Sequence, residues 1–210
     1  MIRNFLGALL ATSISAQSSQ LLTEDLPEVQ VSDFVERTFE NVTDHFNYLD
    51  NRTFNQRYWV NNKYFDGSGP LFIYICGEYR CSVPETRLFP FMIGAAHNAQ
   101  LLVLEHRFYG DSQPFADWSL DNMHYLTSEQ ALADLAYFLG SINFNQNETI
   151  VIGGSYPGAM SAWFRSRYPH LATASWSSSG VVQPVVDFWH FDDQVYTSTV
   201  KSGEECPRLI

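Results

Sequence analysis

Three short runs that are apolar on both faces limit most sharply what this chain can fold into. Leu71–Ile75, Leu101–Leu104 and Thr149–Ile152 are too short for buried helices and match strands covered by other layers on both sides. Between them the apolar period lengthens. Leu88, Met92, Ala95, Ala96 and Ala99 fall at helical spacing over Leu88–Asn98. Thr127–Gly140 is the clearest helix: Thr127 and Gln130 form a capping box, Leu132, Leu135, Ala136 and Leu139 form one face, and Gly140 is placed to stop it. A third helix is expected over Gly158–Tyr168, ended by Pro169, and a further strand over Ala172–Trp176. Phe54–Phe65 alternates aromatic and polar residues, as a half-buried strand does, with Asn61-Asn62 as a turn. This alternation of strand and helix implies right-handed crossovers and an α/β fold with a doubly wound, mainly parallel sheet. Such sheets bind ligands outside the carboxyl ends of their strands. Chemistry is therefore expected just after Ile75, Leu104 and Ile152.

Charge removes one class of partner. Asp and Glu number 23 against 12 Lys and Arg among 210 residues, a net charge of −11 that opposes binding to phosphate backbones. Aromatic residues make up 15% of the chain, enough for one sizeable core. The six histidines do not cluster with carboxylates at ligand spacing, so neither a metal nor a cofactor is expected. Residues 1–16 read as a signal peptide, with Arg3 ahead of the apolar stretch Phe5–Ala16 and cleavage before Gln17. That stretch is shorter than the roughly 20 apolar residues that cross a bilayer, so no membrane span is expected. The alternative is a buried N-terminal helix, which Ser13, Ser15 and the following polar residues disfavour. Sequons at Asn41, Asn51 and Asn147 fit an exported glycoprotein. Residues 17–45, polar and without a clear period, read as a leader to the fold.

In an oxidising compartment three cysteines leave one over. Cys76 and Cys81 are close enough for a turn to bring them within disulfide distance. Cys206 is then either a free thiol or paired with a cysteine outside these 210 residues.

The informative turn is Gly153-Gly154-Ser155-Tyr156-Pro157-Gly158, between an apolar strand and an amphipathic helix. Strand and helix backbones approach closely there, so the neighbours of the serine must be small. This is the physical content of the nucleophile elbow of α/β-hydrolases, which lifts Ser155 Oγ off the sheet and turns the Tyr156 amide toward a developing oxyanion. Pro157 replaces the usual second glycine and is tolerable, because the first helical turn needs no N–H there. The competing reading is a glycine-rich turn that cradles phosphate or merely caps a helix. No lysine follows, which weakens the phosphate version.

Around this turn the chain resembles the prolyl-specific serine exopeptidases, the family of lysosomal Pro-X carboxypeptidase, dipeptidyl peptidase II and thymus-specific serine protease. The resemblance rests on FNQRYWVN at Phe54–Asn61, GPLFIYICGE at Gly69–Glu78, LEHRFYGDSQPF at Leu104–Phe115, YLTSEQALADLAYF at Tyr125–Phe138, GGSYPGAMSAWFRSRYPH at Gly153–His170 and ASWSSSGVV at Ala174–Val182. It implies an α/β-hydrolase fold, Ser155 as acyl-forming nucleophile, Tyr156 N–H as one oxyanion donor, and a second donor at Gly77 or Glu78. Peptides containing proline are the implied substrates, cleaved in carboxypeptidase or dipeptidyl-peptidase mode, and a homodimer is an expectation for the full-length form. The family keeps Glu105-His106-Arg107 as a structural corner beneath the site.

The remaining triad members are missing from the pattern. Asp187 and His190 stand in the right order but too close to occupy separate loops, while His45, His97 and His124 have no supporting context. The resemblance implies a hydrolase domain over 46–186 and the start of a helical insertion over 187–210. It places the triad Asp and His, and a partner for Cys206, beyond Ile210. On that reading the 210 residues are an inactive fragment. The alternative from another class is a secreted, non-catalytic binding or decoy protein that kept the elbow by descent; an esterase or lipase is a third, disfavoured by the long matches.

Overall fold

The computed structural model describes residues 26–83, 89–142, 148–203 and 205–209; the expected signal segment and Asn147 lie outside them. Two compact units divide after Gly180.

The first unit is built on six strands: β1 (Val35–Val42), β2 (Thr53–Asn61), β3 (Leu71–Ile75), β4 (Gln100–Leu104), β5 (Thr149–Gly154) and β6 (Ala174–Ser178). They lie in the order β1-β2-β4-β3-β5-β6. β4, β3, β5 and β6 are parallel, β2 adds antiparallel to the β4 edge, and β1 adds antiparallel to β2. The stretch expected to lead into the fold thus supplies an edge strand of its own. Its sequence VERTFENV gave little periodic signal because most of its side chains remain exposed.

Covering layers follow from side-chain parity. Leu71, Ile73 and Ile75 point with Leu102, Leu104 and Val151 to one face, where they pack on Leu132, Leu135 and Phe138 of α2 (Ser128–Ser141) and on Met160 and Phe164 of α3 (Tyr156–Arg167). Phe72, Leu101, Val103 and Ile152 point to the other, against Phe91 and Ala95 of α1 (Phe89–Ala96). Burying a side chain of this size contributes about 1.5–3 kcal/mol, which fixes register as well as stability.

Local expectations shift in four places. The buried face of α1 is Pro90, Phe91, Gly94 and Ala95, not Met92 and Ala96. Gly94 lets this helix approach closely, since a Cβ there would lie 2.8 Å from Leu101 Cδ2 and 3.1 Å from Phe72 Cγ. α2 runs through Gly140 to Ser141, because Gly140 faces open space and nothing forces a stop. Its capping box is half made: Thr127 Oγ1 accepts from Gln130 N at 3.1 Å, but the Gln130 side chain is taken by Asp44 Oδ1 and His45 N. α3 starts at Tyr156, directly after the serine, with Pro157 in its first turn.

The second unit, Val181–Ile210, holds α4 (Trp189–Val200) and a short 3-10 turn at Cys206–Arg208. Asp187 precedes α4 and His190 stands on it. Cys206 has no disulfide partner among the described residues.

Candidate active site

Strand order alone selects where a ligand can sit. From β3 the chain crosses to β4 on one side, and from β4 it returns past β3 to β5, so the direction of winding reverses between β3 and β5. The crevice of an open α/β sheet lies at that reversal, outside the carboxyl ends. Two loops bound it: the one after Ile75 and the turn after Gly154.

The second of these carries Ser155. Its backbone has φ +61° and ψ −126°, a conformation that costs a non-glycine residue about 1–3 kcal/mol and persists only where its surroundings impose it. Ser155 N donates to Ser178 O at 3.0 Å, tying the turn to the end of β6, and Ser155 O accepts from Ala159 N at 3.0 Å as α3 begins. Close approach does the rest. A Cβ on Gly153 would lie 2.1 Å from Pro157 O, and one on Gly158 would lie 2.6 Å from Ser178 O. The side chain of Ser155 is exposed, and no described side chain hydrogen-bonds its hydroxyl. Ser155 therefore sits at the tip of β5 rather than in the interior. The Tyr156 amide is in the first turn of α3, where intrahelical bonds leave N–H groups open.

The loop after β3 reaches the same place. A Cβ on Gly77 would lie 2.8 Å from Pro157 Cγ, so this loop rests on the elbow. A disulfide joins Cys76 to Cys81, with Cα atoms 5.9 Å apart. Beneath it Glu105, wholly buried, accepts from Cys81 N at 3.0 Å and from Arg57 at 2.6 and 2.9 Å. Ser112 Oγ donates to the same carboxylate at 2.6 Å.

Arg107, equally buried, makes a two-pronged pair with Asp134 of α2 at 2.6 Å on each side and donates to the carbonyls of Val42, Thr43 and Tyr125. Charges this far from water persist only when paired and hydrogen-bonded in full. Glu105 and Arg107 are thus a structural corner, as the resemblance implied. Their partners Arg57 and Asp134 lie within the stretches that carry the resemblance, but nothing in the sequence pairs them with Glu105 and Arg107. His45, which had no supporting context in the sequence, belongs here too, with Nε2 2.8 Å from Asp134 Oδ1.

His106 connects this corner to the elbow. Its Nδ1 donates to Arg107 O at 2.7 Å, which leaves Nε2 to accept from the Tyr156 hydroxyl at 3.2 Å. Burial holds this imidazole below its ordinary pKa, partly offset by the bond to the Arg107 carbonyl, so the neutral ring is favoured. Ser128 Oγ lies 3.3 Å from the same phenol. Burial also raises the Tyr156 phenol, against the lowering effect of Ser128.

One sequon does not survive folding. Asn41 is fully buried, its Nδ2 donating to Gln56 Oε1 at 2.7 Å and its Oδ1 accepting from Val42 N at 2.8 Å, so no room is left for a glycan. Asn51 is exposed. Among the described residues no group of His, Cys, Asp and Glu could hold a metal ion, and no helix is long and apolar enough to cross a membrane.

The strained serine between β5 and α3, on this strand order, is matched by a family profile spanning residues 41–210, that of serine carboxypeptidase S28. The chain belongs to that family. Human thymus-specific serine protease is 38% identical over 171 residues, 78% of this chain and 33% of that protein. Human lysosomal Pro-X carboxypeptidase is 35% identical over 191 residues, 82% of this chain and 37% of that protein. The S28 chain thus spans about a third of the length of the curated relatives it matches. Solved structures agree on the fold alone. Rv0554 of Mycobacterium tuberculosis superposes with a TM-score of 0.51 at 15% identity, covering 80% of this chain and 53% of that one. A dipeptidyl aminopeptidase IV candidate from Bacteroides ovatus gives the same score and identity over 71% of this chain and 21% of that one. The α/β-hydrolase fold expected from the sequence is the fold observed.

Proposed function

We propose that Ser155 is the nucleophile of a serine peptidase that cleaves short peptides next to proline. The observation that carries this is an exposed serine held at φ +61° at the tip of β5, with the first-turn amide of Tyr156 beside it. Ser155 Oγ attacks the carbonyl carbon on the C-terminal side of proline, passing its proton to a histidine. The oxyanion is taken by Tyr156 N–H and by the amide of Gly77 or Glu78, on the loop that rests against Pro157. Collapse expels the amine product, and water then hydrolyses the acyl-enzyme. Both modes of the relatives fit this chemistry: release of a C-terminal residue after proline, or of an N-terminal dipeptide. The base and its orienting acid lie outside these 210 residues, in the two thirds of the relatives' length that the chain does not span. Without them such a serine loses more than about 10⁴-fold in rate. The apolar segment 5–16 and the exposed sequon at Asn51 support entry into the secretory pathway, with a lysosome-like or extracellular destination.

A fluorophosphonate probe tests the reading. It is expected to label the full-length protein at Ser155, to leave a Ser155→Ala variant unlabelled, and to react scarcely with the 210-residue polypeptide. No labelling of the full-length protein would replace the peptidase with the non-catalytic binding reading. Strong labelling of the short polypeptide would show that the base lies within it.

A further inference from the structure

Beside the elbow lies a cavity of about 240 Å³ that the hydrolytic steps leave unused. It is lined by Glu78 from the loop after β3, His106 and Tyr109 from the loop after β4, Leu126, Thr127 and Ser128 at the entry to α2, and Tyr156. Its elements are thus the two loops at the winding reversal plus the corner beneath them, and Tyr156 is the neighbour of the nucleophile. Ring packing makes the wall: His106 lies 5.4 Å from Tyr109 and 5.6 Å from Tyr156, centroid to centroid.

The charge in this cavity is not compensated. Glu78 makes no ion pair or side-chain hydrogen bond with any described residue, although Arg80 is two residues away. Arg80 is turned to Asp111, with an Nη1–Oδ1 distance of 2.7 Å. Arg57 is committed to Glu105. The imidazole facing the cavity is held neutral, first by burial. The field of Glu78 reaches the rings around it: together with burial it raises the phenols of Tyr109 and Tyr156, and Glu129 adds to the effect at Tyr156. Glu78 is exposed at the rim of this cavity, and a solvent-accessible carboxylate lining one cavity with two tyrosine rings is an environment that attracts an ammonium or guanidinium group.

We propose that this cavity is a subsite for a cationic group on the peptide substrate, with the Glu78 carboxylate as its counter-charge and Tyr109 and Tyr156 as its aromatic walls. The cation is a free N-terminal amine or a Lys or Arg side chain. The proposal rests on Ser155 being the nucleophile only for calling the ligand a substrate; binding of the cation is independent of turnover. Glu78 acts here through its side chain, whereas an oxyanion would meet backbone amides of the same loop. The placement lets one loop sense both the charge of the peptide and the carbonyl under attack.

Calorimetric titration of the full-length protein carrying Ser155→Ala separates the possibilities, because no peptide is turned over. Three proline-containing tetrapeptides serve as probes: one with a free N-terminus, one N-acetylated and uncharged, and one N-acetylated with arginine as its first residue. Either or both charged peptides are expected to bind about ten- to a hundredfold more tightly than the uncharged one. Which of them does so identifies the source of the cation. Adding Glu78→Gln should bring that ratio to within about twofold of unity, and adding Glu78→Asp should retain part of it. Equal affinities for all three peptides, or a preference that persists in Glu78→Gln, would overturn the proposal. Failure of probe labelling at Ser155 would refute the peptidase reading and leave this measurement standing.

Discussion

At the scale of single residues, the two glycines before the nucleophile are not equivalent. The sequence presents them as a pair, both small because strand and helix crowd together. Only Gly153 meets that crowding, since a Cβ there would lie 2.1 Å from Pro157 O. At Gly154 the nearest atom is Ser178 O at 4.0 Å, and the backbone is not left-handed. Gly153→Ala is therefore expected to destabilise the fold by about 3 kcal/mol and to displace the serine, and Gly154→Ala to cost less than about 0.5 kcal/mol. Urea denaturation of the two variants, with the serine probe as a second readout, checks the difference. Equal losses would mean that the turn relaxes around a methyl group. Tyr156 gives the same lesson about what a motif hides. Its backbone was predicted from the motif, whereas its phenol, bonded to His106, was not, because the distance between these positions in the chain carries no periodicity.

Among the elements, α2 is both a cover and an anchor. Leu132, Leu135 and Phe138 pack on the sheet, while Asp134 in the same helix receives Arg107 and His45. Asp134 lies off the apolar face that Leu132, Leu135, Ala136 and Leu139 form, and helical periodicity carries no sign of a cation across the interface. Asp134 is 1% exposed. Replacing it with alanine leaves the guanidinium of Arg107 buried without its counter-ion, which costs about 3–5 kcal/mol. Thermal and urea melts of Asp134→Ala are expected to show this loss. They should also show loosening of the segment around Val42 and Thr43, whose carbonyls Arg107 holds, as faster amide exchange there. A near-neutral result would mean that water reaches Arg107 and replaces the carboxylate.

For the molecule as a whole, the two edges of the sheet differ in how they resist unwanted pairing. β1 carries Glu36, Arg37 and Glu40, charges that discourage a second chain from adding there. β6, ASWSS, carries no charge, and among the described strands it pairs only with β5. The 210-residue polypeptide expressed alone is expected to self-associate through this edge, seen in sedimentation velocity as species that grow with concentration. A single monomeric species across the concentration range would show that the edge is protected.

Local physics was enough to determine the strands β3, β4 and β5, the helix behind Thr127, the serine between strand and helix, and the Cys76–Cys81 pairing. Each rests on neighbours in the chain: a run apolar on both faces, a cap three residues from its donor, a turn that crowds its own flanks, a loop short enough to close. The tertiary structure alone decided which groups meet from distant parts of the sequence. It put an edge strand into the polar stretch 35–42, buried Asn41 despite its sequon, paired Arg107 with Asp134 and His45, and set Glu78 without a counter-ion beside Tyr109 and Tyr156. Periodicity reports how a side chain faces its own helix or strand. It says nothing of which charge lies across the interface, and in a low-dielectric interior that partner decides whether a polar residue is buried, paired or left free to bind.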